Sequence, residues 1–387
     1  MTEFSYVHGT SDVPLLGETI GKNFEKTAAA WPDTEALVVR HQRIRWTWAE
    51  LRRHVNAFAA GLLARGLQRG DRVGIWSPNN AEWIIAQFAT AEAGLILVNI
   101  NPAYRSTELE HVLRTSGCRA LITALRFKSA DYLALVRAMP VERVPELRTL
   151  ILIGEAENGT VAFDEVVRDG ERLDAVELVA RMHSVQFDDA VNIQFTSGTT
   201  GAPKGATLTH HNILNNALFV ALGMDLQQGD RLCVPVPLYH CFGMVMSSLA
   251  CVTRGATIVL PSESFDPLAT LEGVEAERCT HIHGVPTMFV TELAHPEFSR
   301  FDVSSLRGGI MAGSPCPIEL MRRVIAEMNL HEMTICYGMT ETSPVSFQSS
   351  VQDPIERRVS TVGRIHPHVE AKIIDSSGHN RARGHAR

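Results

Sequence analysis

The feature that most constrains the fold of this chain is a recurring alternation of short apolar runs with longer segments of helical periodicity. In the first half, apolar runs at 72–76 and 94–100 flank a helical segment at 80–93. These runs are continuously hydrophobic, which is typical of strands buried on both faces of a parallel sheet. The alternation returns with apolar runs at 190–195 and 256–261. The pattern therefore predicts an α/β fold built from βα units.

A polar stretch at residues 155–189 separates the two sets of runs. It predicts two α/β subdomains, at about 1–185 and 186–375. The length of 387 residues is sufficient for two or three domains of about 150 residues each. Residues 376–387 follow a strand-like run at 371–375 but lack apolar periodicity, so we expect an irregular tail there.

Composition and charge exclude several classes of protein. Hydrophobic residues make up 45% of the chain and charged residues 20%, which is ordinary for a globular protein and excludes a largely disordered or coiled-coil chain. The net charge of −7 gives no general attraction to nucleic acid, and none is expected as a partner. The seven cysteines form no C-x-x-C pair, which favours reduced thiols. Residues 1–14 do not resemble a targeting peptide, so we expect a cytoplasmic protein.

The longest stretch without Asp, Glu, Lys or Arg covers residues 232–253 and is long enough to raise the question of a membrane span. Pro235, Pro237 and Gly243 interrupt this stretch. It is better interpreted as a buried strand, a loop and a buried helix. We therefore expect no transmembrane segment.

The strongest local signal is the segment at 195–210, between a predicted strand and a predicted helix. Its glycines allow backbone N–H groups to converge on an anion, its hydroxyl side chains offer further donors, and Lys204 adds a positive charge. The glycines are Gly198, Gly201 and Gly205, and the hydroxyl residues are Thr196, Ser197, Thr199 and Thr200. Because Gly205 follows the lysine, no Ser or Thr occupies the magnesium position of a Walker A loop. The segment predicts another kind of phosphate loop at a strand-to-helix turn, with a solvated turn as the alternative.

The loop and five other segments together resemble the adenylate-forming enzymes, a family that includes acyl-CoA synthetases, aryl-CoA ligases, luciferases and the adenylation domains of peptide synthetases. The resemblance covers residues 37–375. The other segments are VPLYHCFGM, GVPTMF, GGIMAGSPCP, CYGMTETSP and VGRIHPHVEAKIID. The resemblance implies that residues 1–375 form the large N-terminal AMP-binding domain of such an enzyme, with two α/β subdomains and part of a β-rich subdomain.

The resemblance implies one site for ATP, Mg²⁺ and a carboxylic acid. Tyr337 would stack on the adenine, Thr340 would donate to a phosphate oxygen, and Glu341 would hold Mg²⁺. Lys204, Thr340, Glu341 and His240 form the implied catalytic set, in which His240 lies beside the acyl carboxylate and does not act as a base. The further implied ATP-binding residues, besides those of the loop, are Gly313, Ser314, Pro315, Gly338 and Met339.

The acyl-binding residues implied by the resemblance are His240, His283, Val285 and Gly309. His281 and His283 share one face of a predicted strand and could imitate a metal pair, but no third ligand is apparent in the sequence. From the residues alone, a lone histidine such as His240 in a chargeless segment is more often a satisfied core residue than a catalytic one.

The implied reaction is the ATP-dependent conversion of a carboxylic acid to an acyl adenylate and then to a thioester of coenzyme A. A medium- or long-chain fatty acid is the expected substrate, and an aryl or cinnamate-type acid is the alternative. The expected partners are these small molecules, with a homodimer as the candidate assembly.

Full-length members of the family continue with a Thr-Gly-Asp segment, a hinge and a small C-terminal lid domain that supplies a second lysine. These segments are absent from this sequence, so we expect a truncated chain with impaired activity. Loss of one preorganised charge contact costs about 10²–10³ in rate. Two hypotheses of other classes stay open: a nucleotide- and acyl-binding remnant without turnover, and an unrelated α/β protein whose loop binds an anion.

Overall fold

The structure is a computed structural model that describes residues 5–173, 175–196 and 202–381. Its strands are Tyr6–His8 (β1), Glu35–Val39 (β2), Ile44–Thr47 (β3), Arg72–Trp76 (β4), Ile96–Asn99 (β5), Cys118–Ala124 (β6), Arg126–Phe127 (β7), Ala130–Asp131 (β8), Thr149–Ile153 (β9), Val161–Ala162 (β10), Ala190–Thr196 (β11), Lys204–Thr209 (β12), Arg231–Cys233 (β13), Thr257–Leu260 (β14), His281–Gly284 (β15), Gly308–Ala312 (β16), Glu332–Gly338 (β17), Val345–Gln348 (β18), Arg364–Ile365 (β19) and Glu370–Lys372 (β20).

The α-helices are Ile20–Ala30 (α1), Trp48–Ala64 (α2), Ala81–Glu92 (α3), Ser106–Ser116 (α4), Tyr132–Arg137 (α5), Phe163–Glu171 (α6), Ala175–Ser184 (α7), His210–Gly223 (α8), Cys241–Gly243 (α9), Ala250–Arg254 (α10), Pro267–Glu277 (α11), Pro286–Leu293 (α12), Ile318–Met328 (α13) and Ile355–Ser360 (α14). Short 3₁₀ turns occur at Val141–Arg143, Phe298–Arg300 and Thr340–Thr342, and Met244–Leu249 is π-helical.

One sheet has seven strands in the order β10-β9-β6-β4-β5-β11-β12. Its first six strands are parallel, and β12 pairs antiparallel with β11 at one edge. Strand β4 is buried along four of its five residues, as the continuous apolar run at 72–76 predicted. The predicted α/β fold with parallel strands is therefore confirmed.

A second sheet has nine strands in the order β19-β18-β17-β16-β15-β13-β14-β2-β3. The six central strands from β17 to β2 are parallel, and the strands at both edges are antiparallel. The two sheets exchange strands across the predicted subdomain boundary near residue 185. Residues 35–47 join the nine-stranded sheet, and residues 190–209 join the seven-stranded sheet.

The largest apolar core lies between the two sheets. It combines Ile75 and Leu97 of the first sheet with Leu37 and Ile258 of the second, together with residues of helices α1, α2, α3, α8 and α10. Separate cores cover the outer faces, with α4 and α5 against the seven-stranded sheet and α11, α12 and α13 against the nine-stranded sheet. This arrangement of alternating helical and sheet layers buries both faces of the parallel strands.

The local structure after Lys204 differs from the sequence prediction. A strand-to-helix turn was expected, but Lys204–Thr209 forms β12, and the hairpin partner of Lys204 is Thr196. Helix α8 begins only at His210, because the Thr209 hydroxyl caps it by accepting from the backbone N–H of Asn212 at 3.2 Å. Strands β11 and β12 therefore pair antiparallel on either side of the segment. The prediction that a helix directly follows the segment was wrong.

The two ends of the described chain lie together. Strand β1 pairs antiparallel with β20, so the strand predicted at 371–375 is observed at Glu370–Lys372. Residues 376–381 form an irregular turn, in which the backbone N–H of Arg381 donates to the carbonyl of Ile373 at 2.9 Å. Among the described residues, no helix is both long and apolar enough to cross a membrane. The chargeless stretch at 232–253 instead contains the end of β13, a loop and the helices from α9 to α10.

Candidate functional site

A cavity of about 600 Å³ lies where strands of both sheets reach their carboxyl ends. Strands β5 and β11 of the seven-stranded sheet reach it with Asn99 and Thr196, and strands β16 and β17 of the other sheet reach it with Ala312 and Tyr337. In open α/β sheets, ligands bind at this end of the strands. The cavity is therefore the candidate site, and it has an exposed part and a buried part.

The exposed part, which we call the rim, consists of Tyr337, Gly338, Met339 and Glu341, with the half-buried Thr196 beside them. The Thr196 hydroxyl donates a hydrogen bond of 3.0 Å to Oε1 of Glu341, although 145 residues separate the two in sequence. This contact joins the first strand of the hairpin to the 3₁₀ turn after β17. A hydroxyl and a carboxylate therefore lie side by side at the mouth of the cavity.

Lys204 stands next to this pair because its Cα lies opposite that of Thr196 in the hairpin. Its side chain is exposed and does not belong to the cavity lining. The carbonyl of Pro203, immediately before it, lies 2.9 Å from Nε2 of His111 on α4. The hairpin thus contacts helix α4, and the backbone of Lys204 lies beside the rim residue Thr196.

Tyr337 offers an aromatic surface at the rim. Its side chain is 57% exposed, which leaves the ring accessible to a ligand, and its edge packs against Phe347 at a centroid distance of 6.1 Å. The contact with Phe347 limits the rotation of the ring. An exposed and oriented ring of this kind can stack on a flat heteroaromatic group.

His240 lies on the cavity lining just before helix α9. Its Nδ1 accepts from the backbone N–H of Phe242 at 3.1 Å, which places the proton of the neutral ring on Nε2. Desolvation by the surrounding protein lowers the pKa of His240, so the ring is neutral at pH 7. A neutral N–H donor suits a carboxylate or phosphate oxygen, and the prediction that His240 is not a base stays a prediction.

Thr340 and Cys241 meet beside His240. The Thr340 side chain is buried and its Oγ1 lies 3.7 Å from the sulfur of Cys241. Burial raises the pKa of Cys241 to about 11, so the residue is a neutral thiol at pH 7. The thiol therefore acts as a packing group between the rim and the deeper cavity.

The buried part, which we call the floor, consists of the apolar side chains of Phe242, Met246, Ala312 and Val345. Each of these residues is at most 6% exposed. They come from a helix start, a π-helical segment and two strands of the nine-stranded sheet. Such an apolar surface excludes water and favours a hydrocarbon group over a charged one.

Polar side chains of the seven-stranded sheet contact the part of the cavity wall that contains Tyr239 and His240. Asn99 donates to the carbonyl of Tyr239 at 3.0 Å, and its own Oδ1 accepts from Asn192 at 2.9 Å. Gln194 also lines the cavity, and its Nε2 lies 3.8 Å from the sulfur of Met244. Because these amides are buried and hydrogen-bonded, they fix the segment that carries His240.

Of the residues predicted for the site, eight lie on this cavity. They are Thr196, His240, Gly313, Tyr337, Gly338, Met339, Thr340 and Glu341. Ser314 and Pro315 line an adjacent cavity of about 630 Å³, which shares Gly313 and Tyr337 with the first. The predicted loop residues Ser197, Gly198, Thr199, Thr200 and Gly201 lie outside the described residues.

Three residues predicted to bind the acyl group do not line the cavity. His283 is completely buried behind Phe242, with a ring centroid distance of 5.3 Å. Gly309 lies within β16 at φ +143°, where a side chain would collide with the carbonyl of Ile282. Val285 is half-buried and lies beyond Gly313, outside the cavity lining.

Sequence reasoning missed several residues of the cavity. These are Asn99, Asn101, Tyr104, Gln194, Tyr239, Phe242, Met246, Cys336 and Val345. A signal was available for Asn99 and Asn101, because polar side chains at the end of a buried apolar run point to the carboxyl edge of a parallel sheet. Tyr239, Phe242 and Cys336 lie beside predicted site residues within the quoted segments VPLYHCFGM and CYGMTETSP. The others join the cavity only through tertiary packing.

The rim has groups that suit Mg²⁺ bound together with phosphate. Glu341 supplies a hard carboxylate oxygen that is exposed and already hydrogen-bonded to a hydroxyl. Mg²⁺ commonly uses one or two carboxylates, with phosphate oxygens and water as its other ligands. Among the described residues, no cluster of three or more His, Cys, Asp or Glu is arranged as a metal site. The donor set therefore fits a magnesium ion that arrives with a nucleotide.

Two named proteins are similar to this chain in sequence. The medium-chain acyl-CoA ligase ACSF2, mitochondrial, of Danio rerio is 44% identical to this chain, in an alignment that covers 96% of the chain. The putative acyl-CoA synthetase YngI of Bacillus subtilis is also 44% identical, over 93% of this chain. The chain spans 64% of the length of the Danio rerio protein and 68% of that of the Bacillus protein.

Solved structures share the fold. The inhibitor-bound N-terminal domain of FACL13 from Mycobacterium tuberculosis has a TM-score of 0.82 to this chain and 25% sequence identity. The match covers 94% of this chain and 86% of the FACL13 chain. The anthranilate CoA ligase AuaEII, in complex with anthranoyl-AMP, has a TM-score of 0.85 to this chain and 24% sequence identity. The match covers 97% of this chain and 69% of the AuaEII chain. The model of the family of AMP-binding enzymes matches residues 24–386, and the chain therefore belongs to that family.

Proposed function

We propose that the chain activates a medium- or long-chain fatty acid with ATP, forming an acyl adenylate and pyrophosphate, and then transfers the acyl group to coenzyme A. The observation that carries the proposal is the contact between Thr196 and Glu341, beside Lys204 and directly above an apolar floor. Groups for a triphosphate and a surface for a hydrocarbon chain thus share one cavity. The names of the relatives, which are acyl-CoA ligases and synthetases, support the same reaction.

The proposed roles follow from the chemistry of each group. Tyr337 stacks on the adenine, Thr340 donates to a phosphate oxygen, and Lys204 stabilises negative charge on the phosphates. Glu341 holds Mg²⁺, which neutralises charge on the phosphate oxygens when bound. The neutral Nε2–H of His240 orients the acid.

No general base is needed in the first step. A carboxylate oxygen of the acid forms a bond to the α-phosphorus of ATP as the bond from that phosphorus to pyrophosphate breaks, and no proton is transferred. In the second step the thiolate of coenzyme A forms a bond to the acyl carbon and AMP leaves. The thiol of coenzyme A gives its proton to solvent to form this thiolate, so neither step requires a proton transfer to His240.

The floor favours an alkyl chain as the acyl group. Phe242, Met246 and Val345 provide flexible and branched apolar contacts, and none carries a charge that would pair with a substrate ammonium. The buried amides of Asn99 and Gln194 already have partners within the protein. The name of the Danio rerio relative supports a medium-chain acid.

The experiment that tests the proposal is exchange of labelled pyrophosphate into ATP with a panel of acids from butanoate to palmitate, with benzoate and cinnamate included. We expect exchange that requires an alkyl acid and that falls by about 10² or more in Lys204→Ala. Lys22→Ala, which removes an exposed lysine from α1, is the matched control and should retain the wild-type rate. Nucleotide binding without acid-dependent exchange would favour a non-catalytic binding protein and contradict the proposal.

We propose further that the chain acts in the cytoplasm, as a homodimer. Its seven cysteines are free thiols, six of them buried, which supports a reducing compartment. Because the Danio rerio relative is named as mitochondrial, fractionation of cells is the direct test of the compartment. Sedimentation velocity tests the dimer, and limited proteolysis near residue 185 and beyond residue 375 tests the proposed division into subdomains 1–185 and 186–375 and the tail 376–387.

A further inference from the structure

The helix after His240 contains an irregular segment that shapes the floor. Met244–Leu249 is π-helical, between α9 and α10, which are α-helical. π-Helical turns are rare and occur frequently at functional sites. This one carries Met246, a floor residue, and begins two residues after Phe242, another floor residue. The geometry of the turn therefore determines where two of the four floor side chains lie.

Ser247 holds this turn from inside. It is completely buried, and its Oγ lies 2.8 Å from the carbonyl oxygen of Phe242, five residues earlier, which is the spacing of a π turn. The same Oγ lies 2.8 Å from Nδ1 of His283 on β15. The serine thus connects the backbone at Phe242 to a strand of the nine-stranded sheet.

His283 completes the arrangement from below the floor. Its ring packs against the ring of Phe242 at a centroid distance of 5.3 Å, and its Nε2 lies 3.4 Å from the sulfur of Met224. Burial lowers the pKa of His283 to about 3, so the ring is neutral at pH 7. The histidine therefore places a rigid, uncharged ring beneath the floor and carries no proton to the site.

We propose that Ser247 and His283 are a positioning pair that sets the depth of the acyl pocket and hence its chain-length preference. Ser247 holds the carbonyl of Phe242 and the π turn, and His283 supports the ring of Phe242. Neither residue lines the cavity. The inference rests on the proposed function, and it replaces the direct acyl contact predicted for His283 with an indirect one.

The test measures binding of acyl-sulfamoyl adenosines, stable analogues of acyl adenylates, with straight chains from butanoyl to dodecanoyl. Calorimetry gives a dissociation constant for each chain length with wild type, Ser247→Ala and Ser248→Ala. Ser248 is the matched control, because it is equally buried in the same π segment but bonds to Gln87 and the carbonyl of Met244. AMP binding is measured in parallel to show that the nucleotide part of each variant is intact.

We expect Ser247→Ala to change the ratio of long-chain to short-chain affinity by about fivefold, the size of one lost hydrogen bond, with AMP binding unchanged. Ser248→Ala should keep the wild-type ratio. Ser247→Thr, which retains the hydroxyl, should restore most of the preference. His283→Phe, which keeps a ring under Phe242, should change the ratio less than His283→Ala.

Two results overturn the inference. One is a wild-type chain-length profile in a folded Ser247→Ala that binds AMP, and the other is an equal change in Ser248→Ala. Failure of the proposed function itself gives a different result, because the wild-type protein would then bind none of the analogues. If Ser247→Ala does not fold, the ratio of long-chain to short-chain affinity is compared between His283→Phe and His283→Ala. Equal chain-length profiles of these two variants contradict the inference.

Discussion

The rim and the floor of the cavity are built in opposite ways. The rim is exposed and consists of polar or aromatic groups from two short segments, at Thr196 and at 337–341. The floor is buried and consists of single apolar residues from distant segments, of which Phe242 contacts Ser247 and His283 outside the cavity lining. Under the proposed function, the groups that bind the nucleotide come from two short segments, while the groups that select the acid come from distant segments that pack together. Substitutions at the rim should therefore affect the rate for every acid equally, and substitutions at the floor should change the ranking of acids.

The largest effect is expected from Glu341→Gln. It removes the carboxylate that would hold Mg²⁺ but keeps a group that can accept from Thr196. We expect kcat for pyrophosphate exchange to fall by about 10²–10³ for every acid, since charge stabilisation at the phosphates is lost. Glu319→Gln, which changes an exposed carboxylate of α13, is the control and should be neutral. A change in acid preference with Glu341→Gln would break the distinction between rim and floor.

Tyr337→Ala should have a smaller effect on the same part of the site. Loss of the exposed ring removes the stacking surface, which is worth about 1–3 kcal/mol for a base. We expect KM for ATP to rise by about tenfold with kcat little changed, measured by exchange kinetics at saturating acid. Tyr337→Phe should retain the wild-type KM, because it keeps the ring. An unchanged KM in Tyr337→Ala would remove the proposed role of this residue.

Met246→Ala tests the floor. It shortens one apolar side chain and should deepen the pocket, so that kcat/KM for longer acids rises relative to shorter acids by about fivefold or more. Met246→Leu conserves the volume and should keep the profile near that of wild type. The measurement is kcat/KM across the acid panel. A uniform loss for all acids would place Met246 in the rate-determining machinery and contradict its assignment to the floor.

The smallest effect on activity is expected from a second buried region that touches neither part of the site. Glu292 of α12 is 1% exposed, and within the described residues neither carboxyl oxygen has a hydrogen-bond partner. Burial raises its pKa from 4.5 to about 8. Because the folded-state pKa lies above that of the unfolded chain, the group destabilises the fold progressively as pH rises from about 4.5 to about 8.

Glu292→Gln should therefore flatten the dependence of the free energy of unfolding on pH, while pyrophosphate exchange at fixed pH stays at the wild-type level. One pKa unit corresponds to about 1.4 kcal/mol, so the stability lost between pH 5 and pH 8 should differ between the two proteins by about 2 kcal/mol or more. Urea unfolding at a series of pH values measures this difference. Parallel curves for wild type and variant would show that Glu292 does not titrate in this range.

The rim and the floor also differ in how far they could be predicted from the sequence. The continuous apolar runs predicted buried parallel strands, as β4 shows. Thr196 and Tyr337 meet at one rim because β11 and β17 reach their carboxyl ends there, and Glu341 follows β17 in a short turn. The floor was not predicted, because Phe242 and Val345 become neighbours only when two segments about a hundred residues apart pack together. Their roles in binding remain predictions.

One local error has an identifiable cause. The segment at Lys204–Thr209 is only six residues long, and its alternation is limited to Ala206 and Leu208, so its pairing with β11 depends mainly on an available sheet edge. His283 was assigned to the acyl pocket from the family resemblance, and that assignment remains a prediction, because a strand pattern does not determine which face of the strand meets a cavity. In the structure its side chain meets Ser247 and Met224.

We propose that one cavity binds the nucleotide at its rim and the acyl chain on its floor. A crystal structure of the chain with decanoyl-sulfamoyl adenosine tests this arrangement. We expect the adenine stacked on Tyr337, the sulfamoyl group near Thr340 and His240, and the decanoyl chain packed against Phe242 and Met246. An acyl chain that leaves the cavity for another surface, or an adenine bound away from Tyr337, would overturn the proposal.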